Sequence, residues 1–410
     1  MYRSSELCLE PRSCRKKQAG AALLVILLLL VSALSFLFVK NLNKGISFRS
    51  EDAMATANAL AQAKAALIGY ASIYPDQINP NKGPGYLPCP SDTAPYDMPR
   101  SNCAASTSSL LGRIPWRYLG VSDIRDEAGE RLWYAITETY KYSLPVASPP
   151  LNSETPGGVT VDGAGDVVAV IIAPNGPLTG QSRNTGPNNA SNYLEDENNN
   201  GDLVFATQAS SPTIEFNDSL LAITRKELME AVEKRVLGEA RRVLQTYYST
   251  NNYCPYAADL GSTAGSQWGM NGQLEGFLPI DAGGTSPNPP IPFSSPGWFR
   301  QNQWPNFVYY TLANACQSTT PGCSGSGLLT VGGATNAQAL LISAGRTITT
   351  PPFTAKGSAQ DRTSLPPPPP PWSVNEYLDS AENTNGDPVY DAAGTQITPS
   401  YNDQMKIVAP

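Results

Sequence analysis

The longest uninterrupted apolar run is Ala21 to Val39, AALLVILLLLVSALSFLFV, 19 residues without a charge. As a helix it would be about 28 Å long, close to the thickness of a bilayer core. The pattern then changes. From Glu51 to Ser72 the chain is rich in Ala, Gln, Lys and Leu, with Met54, Ala57, Ala61, Ala65 and Ile68 at three- and four-residue steps. That spacing predicts an amphipathic helix, and the apolar helix is expected to run on into it past a break near Gly45. Further along come short stretches with no polar alternation, Val167 to Pro174 and Ala339 to Gly345. Runs of this length without polar alternation predict buried strands.

These segments recur in order. A helix at Ala61–Ser72 is matched by one at Glu227–Tyr248, and a Cys-Pro follows each, Cys89-Pro90 and Cys254-Pro255. Gly112-Arg113-Ile114-Pro115 is matched by Gly276-Phe277-Leu278-Pro279. The aromatic segment Arg131–Ile136 is matched by Asn306–Tyr310, and Gln181-Ser182-Arg183 by Gln360-Asp361-Arg362. Tyr193-Leu194-Glu195-Asp196 through Gly201-Asp202 aligns with Tyr377-Leu378-Asp379 through Gly386-Asp387, and Asn217-Asp218 with Asn402-Asp403. Ordered matches over about 170 residues indicate a duplication. The expected division is a leader over 1–20, an apolar helix over 21–39, a first copy over 40–224 and a second over 225–410. The expected fold class is α+β: a transmembrane helix extending into a long helix, then two related helix-plus-antiparallel-sheet units with long Gly/Pro loops. Pro366 to Pro371 forms a polyproline insertion in the second copy, read as a stiff spacer or a docking segment.

Charge sharpens the first part of this picture. Arg3, Arg12, Arg15, Lys16 and Lys17 against Glu6 and Glu10 give the first 20 residues +3, leaving −10 for the rest of a chain whose net charge is −7. Basic residues ahead of an apolar run predict a cytoplasmic N-terminus and an exported body. An acidic body without a basic stripe argues against nucleic-acid binding. Histidine is absent, which removes Ser-His-Asp and Cys-His catalysis and the commonest zinc ligand, so no enzymatic activity is expected. The seven cysteines divide two before the apolar run and five after it. Cys89–Cys103 and Cys316–Cys323 are the simplest local disulfides and leave Cys254 over; Cys254 with Cys316 or Cys323 is the alternative.

Lys16-Lys17-Gln18-Ala19-Gly20 followed by Ala21-Ala22-Leu23-Leu24-Val25 resembles the class III signal of type IV pilins and type II secretion pseudopilins. The resemblance implies cleavage by a prepilin peptidase between Gly20 and Ala21, methylation of the new N-terminus, and assembly with other pilin-like subunits through the N-terminal helix. It also implies a single-pass protein of the bacterial inner membrane with a periplasmic body. Major pilins carry Glu at mature position five, where this chain has Val25. That departure moves the implied role from repeated shaft subunit to a minor pilin or pseudopilin at a tip or accessory position. The alternative is a tethered exported protein that binds carbohydrate or a surface, or an enzyme, unrelated to filaments.

One constellation offers a metal site. Asp196-x-Asn198-x-Asn200-Gly201 satisfies the first half of a calcium loop, with Glu195 and Asp202 beside it, but Thr207 stands where a bidentate Glu is expected. Calcium is therefore a candidate cofactor. The competing reading is a solvated Asn/Gly turn whose side chains bond their own backbone. Asn217-Asp218 and Asn402-Asp403 cap or turn the following element, or add a ligand to the loop.

Overall fold

The computed structural model describes residues 51–74, 79, 82–103, 110–142, 149–183, 188–210, 215–262, 269–280, 297–319, 321–323, 326–362, 373–391 and 398–408. The leader, the Gly20–Ala21 junction, the apolar run over 21–39 and the polyproline segment over 366–371 lie outside the described residues. Residues 58–410 form one compact unit, and residues 1–57 are grouped separately.

The structure is sheet-rich. Three α-helices occur among the described residues: α1 over 51–74, α2 (Arg225–Asn251) and the single turn α3 (Trp298–Gln301). None is long and apolar enough to cross a membrane. The reason is visible in their sequences: α1 carries Glu51, Asp52, Asn58, Gln62 and Lys64, and α2 alternates Arg, Lys and Glu along its exposed side. This corrects the expected fold class, in which a transmembrane helix ran on into a long helix ahead of two antiparallel units. The expected single-pass inner-membrane placement, with its periplasmic body, is likewise corrected: no helix among the described residues could span a bilayer. The sheets are not all antiparallel: the six-stranded and the three-stranded sheet each contain one parallel pair, whereas the four-stranded sheet is antiparallel throughout.

In the first half, β1 (Leu111–Arg113), β2 (Trp133–Ile136), β4 (Ala164–Ala173) and β6 (Ser219–Thr224) line up in the order β6-β4-β2-β1. The outer end of β4 pairs with β3 (Val159–Val161), which takes β5 (Val204–Phe205) in parallel. In the second half β7 (Glu275–Phe277), β8 (Val308–Leu312), β11 (Ala339–Ser343) and β13 (Gln404–Val408) follow the order β13-β11-β8-β7. Here β9 (Leu329–Val331) pairs with β10 (Ala334–Ala337) and takes β12 (Val389–Tyr390) in parallel.

Registers coincide as well as order. Gly112 faces Tyr134 and Gly276 faces Tyr310; Ile171 faces Leu221 and Leu341 faces Lys406. The β3–β4 turn has both Asp162 and Gly163 at positive φ, and the β9–β10 turn has Gly332 and Gly333. Two consecutive left-handed residues suit the twist of a tight hairpin, which explains Asp-Gly and Gly-Gly there.

Helix α2 joins the halves. Thr224 and Glu227 close a capping box at its start. It packs against β4 and β6 on one side and β11 and β13 on the other. Leu228, Val232, Val236, Leu237, Ala240 and Leu244 are buried between the two sheets, so one hydrophobic core runs through both halves. A second, smaller cluster covers the outer face of the first sheet, where Arg113 lies 4.1 Å from the rings of both Trp133 and Tyr193. The disulfides Cys89–Cys103 and Cys316–Cys323 are both formed, and Cys254 is free and buried.

Candidate functional site

The Asn-rich loop of the first half folds back onto the residues that precede β6. Glu195 donates its main-chain N–H to Asp218 Oδ2 at 3.0 Å, and its Oε2 accepts the N–H groups of Asn217 (3.1 Å) and Asp218 (3.0 Å). Glu195 Oε1 accepts from Gln181 Nε2 at 2.7 Å, and Gln181 Oε1 in turn accepts from Leu178 and from Arg183. Asn198, fully buried, donates to Asp218 Oδ2 at 2.9 Å and accepts from the Ala206 N–H.

The second half repeats this clasp with different residues. Asp379 donates its N–H to Asp403 Oδ2 at 2.8 Å and accepts from the Asn402 N–H at 2.6 Å and from Gln360 Nε2 at 3.0 Å. Gln360 Oε1 accepts from Ile348 and Arg362, and Asn383 Oδ1 accepts from the Asp391 N–H. Two carboxyl groups therefore meet in each half, Glu195 with Asp218 and Asp379 with Asp403. Asp218 and Asp403 are both 2% exposed, and their Oδ1 atoms have no hydrogen-bond partner. Burial, then the neighbouring Glu195 charge, pushes the Asp218 carboxyl up to about 8. Burial, then Asp379, drives Asp403 well above the usual carboxylate range, and burial raises Asp379 as well.

Two of the loop residues read as calcium ligands cap their own backbone. Asn200 Oδ1 accepts the Asp202 N–H at 3.0 Å, and Asp202 Oδ1 accepts the Val204 N–H at 2.8 Å. Asn385 and Asp387 do the same in the second half. Gly201 and Gly386 hold φ of 76° and 79° in these equivalent turns. Asp196 starts a short 3-10 turn. Glu195 and Asn198 thus converge with Asp218, whereas Asn200 and Asp202 cap their own backbone. Among the described residues no group of three or more His, Cys, Asp or Glu side chains could hold a metal ion.

A second polar cluster lies at the seam between the halves. Arg225, at the start of α2, binds both Asp166 oxygens at 2.8 and 2.9 Å and donates to the Ser153 carbonyl. Arg346 from the second half reaches the same Asp166 at 2.8 Å. Glu154 accepts from the Thr347 N–H at 2.7 Å. Glu233, more than two turns into α2, is 3% exposed and receives Ser153 Oγ at 2.6 Å and Gln404 Nε2 at 2.8 Å. Burial lifts its carboxyl to about 7 against these hydrogen bonds. Sequence reading missed Glu233, because a Glu among apolar heptad-like positions is the one signal, and a charged helix dilutes it. Clefts of about 390 and 480 Å³ open on either side of the Arg346 loop, with Thr347 and Thr349 lining both.

Chemically, the clasp carboxyls are enclosed and tie loops to strands, while the seam ions are committed to one another. Cys254 is likewise enclosed; burial pushes its thiol up to about 12, which disfavours the thiolate needed for nucleophilic chemistry. No protein-family model, no curated protein and no solved structure matches this chain.

Proposed function

We propose that the chain is a non-enzymatic structural subunit of the minor pilin or pseudopilin type, working by assembly with other pilin-like subunits. The observation that carries this reading is the Lys16–Gly20 basic segment ending in Gly directly before the apolar Ala21–Val25. Two features of the body support it. Its buried acids, Glu195, Asp218, Asp379, Asp403 and Glu233, accept main-chain and amide hydrogen bonds that hold loops in place. Its two halves share one core through α2 and so form a single body.

The test is N-terminal sequencing and intact mass of the chain recovered from producing cells. The reading expects an N-methylated Ala21. A chain that keeps its leader, or starts beyond residue 40, sinks it and favours an exported binding protein.

A further inference from the structure

We propose that each carboxyl pair, Glu195 with Asp218 and Asp379 with Asp403, keeps one proton in the folded protein, carried by Asp218 and by Asp403, and that this proton latches the edge strand beginning just after each Asp. Those strands are β6 and β13, and raising the pH releases both.

The placement of donors carries the inference. Glu195 accepts three N–H groups, spread over both its oxygens. Asp218 accepts two, both on Oδ2, from Glu195 N–H and Asn198. Its Oδ1 is buried with nothing donated to it. The same division holds in the second half: Asp379 accepts from Asn402 and Gln360, Asp403 Oδ2 accepts from Asp379, and Asp403 Oδ1 has no partner. A bare carboxylate oxygen in that position is strongly disfavoured, and two like charges side by side cannot both ionise. A proton on Oδ1 of Asp218 and of Asp403 removes both difficulties. The arrangement arises twice from unlike residues, Glu in one half and Asp in the other, so it is not an accident of one loop.

The surrounding charges do not substitute for the proton. Arg183 reaches the first pair only through Gln181 and itself lies 3.4 Å from Glu130. Arg362 reaches the second pair through Gln360 and stacks on Tyr377. Glu376, beside that loop, is paired with Lys356. From α2, Glu233 faces Asp403 and adds negative charge, with Arg225 and Asp166 behind it. Among the described residues no Lys or Arg hydrogen-bonds directly to either pair.

The sign follows from linkage. The folded protein keeps protons that the unfolded chain gives up in the ordinary carboxylate range. Stability is therefore fully present at acid pH and falls as pH rises towards and through about 8 for Asp218, by up to about tenfold in the folding constant per pH unit for each retained proton.

The test uses the full chain, unfolded by urea between pH 5 and 10, with native-state hydrogen exchange and infrared difference spectra. Expected are a protonated-carboxyl band at pH 6 that is lost at alkaline pH, and protection factors in β6 and β13 that fall together above neutrality while those in β2 and β8 hold. Asp218→Asn and Asp403→Asn, neutral as the protonated acid is, should each remove one proton's share of the pH slope. Glu233→Gln serves as the background that removes its separate contribution. If the Asn variants do not fold, Glu195→Gln and Asp379→Asn test the partner oxygen, and the infrared measurement needs no variant. Absence of the acid band at pH 6, or an unchanged slope in the double variant, overturns the proposal.

Discussion

Replacing Arg362 by Ala should be among the most damaging single changes outside the apolar core. Its guanidinium is 3% exposed and donates to four main-chain oxygens, Ala344, Gly345, Glu376 and Tyr377, and to Gln360 Oε1. It also lies 5.1 Å from the centre of the Tyr377 ring. Truncation leaves those acceptors without their donor. A buried acceptor stripped of its partner costs about 1–3 kcal/mol, with water recovering part of the loss where it can enter. Five acceptors in one place, partly rehydrated, give about 4 kcal/mol. The first-half counterpart, Arg183, makes fewer such bonds, to Pro174, Asn175 and Gln181. Arg183→Ala should therefore cost less, about 2 kcal/mol. Urea unfolding of both variants at pH 7 measures the difference. A loss below about 1 kcal/mol for Arg362→Ala would refute the view that this side chain organises the second clasp.

Other changes have equally definite outcomes. Glu233→Gln should flatten the pH dependence of stability: the raised carboxyl contributes at acid pH and loses that contribution as pH climbs through about 7, a span worth about 3 kcal/mol that urea titrations at pH 5 and 8 will read. Cys103→Ala opens the loop closed by Cys89–Cys103, whose sequence separation is 14; unfolding under non-reducing conditions should show a loss of about 3 kcal/mol. Adding calcium or a chelator should leave the thermal midpoint unmoved, because Asn200, Asp202, Asn385 and Asp387 already spend side-chain oxygens on backbone N–H groups; a rise that saturates with calcium would contradict this.

Some of this architecture can be read from the residues, and the limits have physical causes. The unbroken run Val167 to Ala173 forms the inner part of β4 and is buried throughout, as a central strand with both faces covered requires. The acid loops draw attention in the sequence through their carboxyl and amide density. Their partners are legible only in part: Asn217-Asp218 and Asn402-Asp403 stand out as recurring caps or added loop ligands, but their carboxyl pairing with residues more than 20 positions earlier has no local signal. Glu233 is hidden for a similar reason. Its partners, Ser153 and Gln404, lie 80 and 171 residues away, one in each half, and no local pattern encodes a contact between such distant segments.

The relation between the halves is also finer than letters suggest. Matching Cys89-Pro90 to Cys254-Pro255 is natural in sequence, yet backbone geometry slides that match by two residues. Leu87 donates its N–H to the Tyr140 carbonyl, and Cys254 donates to Cys316, each at 2.8 Å. Tyr134 hydroxyl bonds the Pro88 carbonyl, and Tyr310 hydroxyl bonds that of Pro255. Ser91 bridges Arg113, and Ala258 bridges Phe277. Three independent contacts place Cys254 at the position of Leu87 and Tyr256 at that of Cys89. Prolines on both sides of Cys89 allow either alignment, and only the hydrogen-bond partners decide between them. This explains why the free thiol stands in an apolar core position: Cys254 fills the space of a leucine, as a small hydrophobe can, while the second half draws its disulfide from Cys316 and Cys323. Cys254→Val should accordingly fold with little loss, whereas Cys254→Asp should not.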